Sequence, residues 1–231
     1  MSVVPQLQEV VQPNVLVVEG DDERRLLRVL IDRLGLRDVQ IVDAKGKDNI
    51  PSVMRVLPKT PRFAQITRSV GIARDADECP ERALQSLQTA LRNAGLPVPC
   101  EPMVPVGDSP RVTVIILPGR NRPGELEDLC LEAVESDPAM RCVGNYYSCL
   151  RLSYKIVRHA QRMRRSLRFL SEVRGQEYAL PRKLSKAKVQ TFLASRQEVA
   201  LSLGIAAEKG YWPLDAVCFE ELKGFLRAFA D

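Results

Sequence analysis

Residues 15–34 read VLVVEGDDERRLLRVLIDRL, and the order of these residues decides the fold. Val15–Val18 is a short, continuous, largely β-branched apolar run, the composition of a parallel strand buried on both faces. Glu19 and Gly20 end it. Leu26, Leu27, Leu30, Ile31 and Leu34 then share one face at helical spacing, so a helix is predicted over 22–34.

The same phrase recurs downstream. Val39–Val42 reads as a second strand, and Asp48 or Asn49 is placed to cap a helix reaching about residue 57. Val70–Ala73 forms a third strand ending in RDADE; Pro80 fits the first turn of the next helix, and Gly95 stops it. Val112–Leu117 is a fourth strand, followed by PGRNRPG and a helix over about 125–135. Strand and helix alternating at this interval predict an α/β fold, a mostly parallel sheet flanked by helices. The proline-rich stretch 97–111 breaks the rhythm and is expected to form an edge hairpin. From residue 136 the pattern is helical, over roughly 146–174, 185–196, 198–208 and 214–229. Two parts are therefore expected: a core over 1–135 and a helical, basic extension over 136–231 packing on it.

Charge divides at the same point. The chain has 231 residues and a net charge of +5. Residues 1–135 carry 17 Lys/Arg against 20 Asp/Glu, a net of −3, whereas residues 136–231 carry 17 against 9, a net of +8. An acidic core beside a basic extension suits a protein that holds cations in one part and phosphates in the other. Hydrophobic residues make up 45% of the chain, enough to bury a core, so disorder is excluded as its main state. No apolar run has the ~18 residues of a membrane span. The start has the features of neither a charged nor an apolar signal segment. Six scattered cysteines without a C-x-x-C pair, and a single histidine, argue against zinc and for a reduced cytoplasmic setting.

The acidic residues gather at strand ends, where open α/β sheets bind ligands. Glu19, Asp22 and Glu23 follow the first strand; Asp75 and Asp77 follow the third; Glu125, Glu127 and Asp128 follow the fourth. Asp and Glu near a helix start can simply cap it. Glu19, before Gly20, has no capping motive, and Asp75-x-Asp77 in an extended segment would turn two carboxylates to one side. Clustered carboxylates repel unless a cation is shared among them, and hard Mg²⁺ or Mn²⁺ matches an all-oxygen set.

Val-Val-Glu19-Gly together with Arg-Asp75-Ala-Asp77 resembles the Toprim domain, the metal-binding module of topoisomerases, bacterial primases, recombination proteins and OLD-family nucleases. The chain looks most similar to small stand-alone Toprim proteins related to the OLD nucleases, through Gly46-Lys47, Gly124-x-Leu126-Glu127-Asp128 and Lys186-Ala-Lys188. The resemblance implies that Glu19, Asp75 and Asp77 hold metal, with Asp22 or Glu23 and Glu127 or Asp128 completing a second metal position. It implies phosphodiester cleavage, Glu19 also moving a proton and Lys186 or Lys188 neutralising phosphate. The OLD ATPase domain has no counterpart here, because no G-x-x-x-x-G-K-[ST] is present. Without a tyrosine-bearing strand-passage domain, topoisomerase activity is not expected.

Residues 150–174 contain eight Lys/Arg and one Glu. Arg151, Lys155, Arg158, Arg162 and Arg165 recur at steps of four and three, beside an apolar stripe that can pack on the core. Such a ridge, with Lys47, matches the phosphates of a nucleic acid or another phosphate-bearing ligand. No membrane partner is expected, and a homodimer is an arrangement the sequence permits. The function expected is Mg²⁺-dependent phosphoryl transfer, a nuclease acting on DNA or RNA. The alternative is a non-catalytic nucleic-acid- or nucleotide-binding module, or an accessory subunit in phage defence or repair.

Overall fold

A computed structural model describes residues 9–162 and 180–230, with side chains of 154–162 left aside. Strand β1 (Asn14–Val18) leads into helix α1 (Asp21–Arg33), and β2 (Val39–Asp43) into α2 (Ile50–Val56) and a short α3 (Phe63–Ile66). Strand β3 (Ser69–Asp75) precedes α4 (Pro80–Ala94), and β4 (Arg111–Leu117) precedes α5 (Leu126–Ala133). Helices α6 (Pro138–Arg162), α7 (Leu184–Leu193), α8 (Leu203–Glu208) and α9 (Glu220–Ala230) follow. The four strands lie in the order β2-β1-β3-β4, all parallel, which makes this an α/β fold.

Alternation along the strands explains why both faces are covered. Leu16 and Val18 point to one face, where they meet α1, α5 and the helices after residue 184. Val15 and Val17 point to the other, with α2 and α4 behind them. The first face is dominated by fully buried aromatics: Phe192, Trp212, Phe219, Phe225 and Phe229. Phe192 and Trp212 stack with centroids 5.6 Å apart, worth about 0.5–1.5 kcal/mol beyond the area they bury. Trp212 also donates to Leu203 O at 3.0 Å, which fixes α8 against the core. Gly71 of β3 lets α9 approach the sheet, since a Cβ there would stand 2.8 Å from the Phe229 ring.

The boundaries differ from expectation in instructive places. A 3₁₀ turn at Lys47–Asn49 runs into α2, so the capping expected of Asp48 or Asn49 is not made through a side chain. Stretch 97–111 contributes one antiparallel bridge, Val106 to Val112, and a Met103 N–H bond to Val114 O, with no strand of its own. Helix α6 begins eight residues earlier than the pattern suggested, at Pro138, whose missing N–H is no loss at a helix start. Among the described residues, no helix is long and apolar enough to cross a membrane.

Candidate metal centre

The carboxyl ends of β1, β3 and β4 converge on one acidic site. Asp75 is the last residue of β3 and is 5% exposed. Its Oδ1 accepts the Leu126 N–H at 3.0 Å, so it sits at the N-terminus of α5, where the helix dipole favours a negative charge. Asp77 and Gly124 hold the β4–α5 connection in place by exchanging backbone hydrogen bonds of 2.9 and 2.8 Å. Gly124 is required there. Its φ is +137°, and a Cβ would lie 2.7 Å from Asp128 Oδ2.

Helix α5 opens with a capping box, in which Glu125 accepts from the Asp128 N–H and Asp128 Oδ2 accepts from the Glu125 N–H at 2.8 Å. That box aims Glu125 and Glu127 back over the sheet edge. One oxygen from each of Asp75, Glu125 and Glu127 lies within 4.8 Å of the others, so this buried triad can share a metal ion. Glu127 Oε2 and, beside it, Glu19 Oε2 are buried without a hydrogen-bond partner, as is Glu125 Oε2, whose nearest cation is Lys186 Nζ at 3.5 Å. Buried acceptors left unpaired are costly, and a hard cation would complete them.

Electrostatics mark the same spot. Burial drives the Asp75 carboxyl well above the usual carboxylate range, reinforced by Glu23, Glu19 and Glu127. Burial likewise raises Glu23 to about 7 and raises Glu19, where the charge of Asp77 adds to it while Arg74 and Lys47 oppose. Two lysines from the start of α7 answer this charge. Lys183 pairs with Glu125, and Lys186 pairs with Glu127 and lies 3.5 Å from Glu125 Oε2. Burial by itself would lower the Lys186 ammonium, but Glu127, Glu125 and Asp75 outweigh it and raise it.

The residues predicted from the sequence divide into groups. Asp75 and Glu127 are brought together, with Glu19 and Glu23 alongside. Asp77 is not part of the triad, because the strand ends at Asp75 and Asp77 takes a left-handed φ of 52°. The extended geometry behind the Asp75-x-Asp77 clamp is therefore absent, and Asp77 instead bonds Lys47 Nζ at 2.6 Å. That pairing occupies Lys47, whose ammonium it raises. Asp22 accepts the Gly204 N–H at 2.8 Å and so ties α1 to α8. Asp128 is held by the capping box and by Ser185 Oγ.

Lys186 reaches the carboxylates, whereas Lys188 faces a cavity between α6 and α7 together with Arg151. Lys155, Arg158 and Arg162 continue along α6, and Arg165 lies outside the described residues. Glu125 joins the site as a residue that the sequence places only among the acidic strand ends, and Lys183 joins it from a segment with no acidic motif of its own. The Glu125-x-Glu127 pair behind a glycine and the Lys183–Lys186 spacing of three were the available signals.

The family model DUF3226, described as a protein of unknown function, matches residues 13–231. No curated protein and no solved structure matches the chain.

Proposed function

We propose, for a chain that belongs to the DUF3226 family, that the carboxylate site serves Mg²⁺- or Mn²⁺-dependent phosphoryl transfer of the Toprim type, as a cytoplasmic nuclease acting on DNA or RNA. The observation that carries this reading is the buried Asp75–Glu125–Glu127 triad with its unpartnered oxygens, set beside lysines. The resemblance of Glu19 and Asp75-Ala-Asp77 to the Toprim pattern supports it. Asp75, Glu125 and Glu127 hold the metal, with Glu19 and Glu23 next to them. Such a metal, when bound, polarises a phosphoryl oxygen and makes bound water a stronger nucleophile at neutral pH.

The chain's own residues do the rest. Glu19, with one unpartnered buried oxygen, accepts the proton of an attacking water as the P–O bond to the leaving oxygen breaks. Lys183 and Lys186 neutralise the phosphate that faces the carboxylates. Asp75 is fixed by the Leu126 N–H, so its position is set before any ligand arrives.

The test is cleavage of end-labelled DNA and RNA in Mg²⁺ or Mn²⁺. Wild type is expected to cleave, and Asp75→Asn to lose cleavage while keeping salt-sensitive binding of the same strands. Wild type that binds strands without metal-dependent cleavage contradicts the nuclease reading. One feature favours the alternative of a non-catalytic binding module or accessory subunit: Lys183 and Lys186 already neutralise Glu125 and Glu127. That result would support it.

A further inference from the structure

Helices α6 and α7 part around a cavity of about 390 Å³, at the lower end of the ~300–1,000 Å³ typical of small-molecule sites. Its walls are of two kinds. Leu152 and Leu184 make one side apolar, and the Tyr147 ring is locked in place by a 2.9 Å bond between its hydroxyl and Thr191 Oγ1. Arg151 and Lys188 make the cavity cationic, and among the described residues no carboxylate lines it.

The contrast within α7 is informative. Lys183 and Lys186 are paired with Glu125 and Glu127, whereas Lys188 faces into the cavity with Arg151. Lys188 also borders a second cavity, of about 790 Å³, that reaches Asp128 at the start of α5.

From this we infer that the α6–α7 cavity receives one unpaired nucleotide of a DNA or RNA strand, its phosphate on Arg151 and Lys188 and its base against Leu152 and Leu184. Inorganic phosphate would leave the leucines unused. A duplex keeps its bases stacked inside and would meet only the rim. An unpaired nucleotide offers both an anion and a flat apolar face, which is the pattern of single-strand recognition. The inference deepens the phosphodiester reading and rests on it for what happens to the strand, but its binding test stands apart from metal binding.

The test is fluorescence anisotropy on the full chain with a labelled oligothymidine of roughly ten nucleotides, within the ~4–16 covered by known single-strand sites. The same strand annealed to its complement and free thymidine monophosphate serve as comparisons. Single strand is expected to bind at least fivefold tighter than duplex, and the monophosphate much more weakly than either. Arg151→Ala with Lys188→Ala should weaken single-strand binding about tenfold or more. Leu152→Ala should weaken it several-fold while leaving duplex binding unchanged, because it removes apolar contact with the base. Circular dichroism and Mn²⁺ binding of these variants should match wild type.

Equal binding of duplex and single strand, or wild-type affinity in the double variant, overturns the inference. So does a monophosphate that binds as tightly as the strand, which would assign the cavity to a free nucleotide. Loss of Mn²⁺ binding in Asp75→Asn with oligothymidine binding intact separates the two sites. A wild type that binds strands but no metal would sink the phosphodiester reading alone.

Discussion

The two ends of the same strands bury different kinds of polar group. At the amino end of β3, Ser69 Oγ donates to Phe229 O at 2.6 Å, and the neighbouring Asn14 Nδ2 reaches Ala230 O at 3.4 Å. Those groups are neutral, and they close the last carbonyls of α9 onto the sheet. At the carboxyl end, the acidic side chains of Asp75, Glu23 and Glu127 are crowded, and carboxyl oxygens of Glu19, Glu125 and Glu127 remain without hydrogen-bond partners. A fold that seats two neutral side chains on two helix carbonyls at one end could have done the same at the other. It instead holds like charges together there, at a cost to stability, and recruits Lys183 and Lys186 from 50 or more residues away to offset them. The amino end is built to hold the fold and the carboxyl end to hold a ligand.

Four measurements sharpen or break that contrast. The largest effect is on pH. Glu23 is raised from 4.5 to about 7 in the fold, so between those values the folded chain binds more protons than the unfolded one. Stability of the metal-free protein should therefore fall as pH rises from about 4.5 to about 7, by about 3 kcal/mol from Glu23. Asp75 pulls in the same direction. Urea unfolding across that window checks it; stability that climbs with pH would mean the carboxyl end is not strained.

Next is packing at the sheet face. Gly71→Ala places a methyl 2.8 Å from Phe229 and 3.1 Å from Leu16 Cδ1, and should cost about 2 kcal/mol by forcing α9 outward. Thermal unfolding by circular dichroism reads it, and a variant as stable as wild type would show that α9 tolerates displacement. Ser69→Ala should cost less, about 1.5 kcal/mol, by leaving the Phe229 carbonyl unpaired. The smallest effect has the opposite sign and grows with pH. Asp75→Asn keeps an acceptor for the Leu126 N–H and cannot ionise, so at alkaline pH it spares the metal-free protein a buried carboxylate and should gain about 1 kcal/mol. Destabilisation in that variant would place Asp75 among the structural groups.

Much of this was legible in the sequence, for physical reasons. Val15–Val18 and Val70–Ala73 declare buried strands by composition, and Glu19 and Asp75 declare themselves by standing where those strands stop. Strand ends are local facts. The roles of Glu125 and Asp77 depend on a non-local one, the backbone bridge between Asp77 and Gly124, which turns Asp77 out of line and brings Glu125 over Asp75. Lys183 was hidden for the same reason, since its partner lies 58 residues away in the chain. Asp22 follows a strand end in the sequence, and the structure adds a tie that sequence does not show, its acceptance of the Gly204 N–H.

The central claim is that Asp75, Glu125 and Glu127 form a cation site, and calorimetric titration with Mn²⁺ tests it most directly. Wild type should bind with measurable heat, Asp75→Asn and Glu127→Gln should lose most or all of it, and Asp22→Asn should bind as wild type does. Absence of Mn²⁺ and Mg²⁺ binding in wild type, or unchanged binding in Asp75→Asn, would contradict the account.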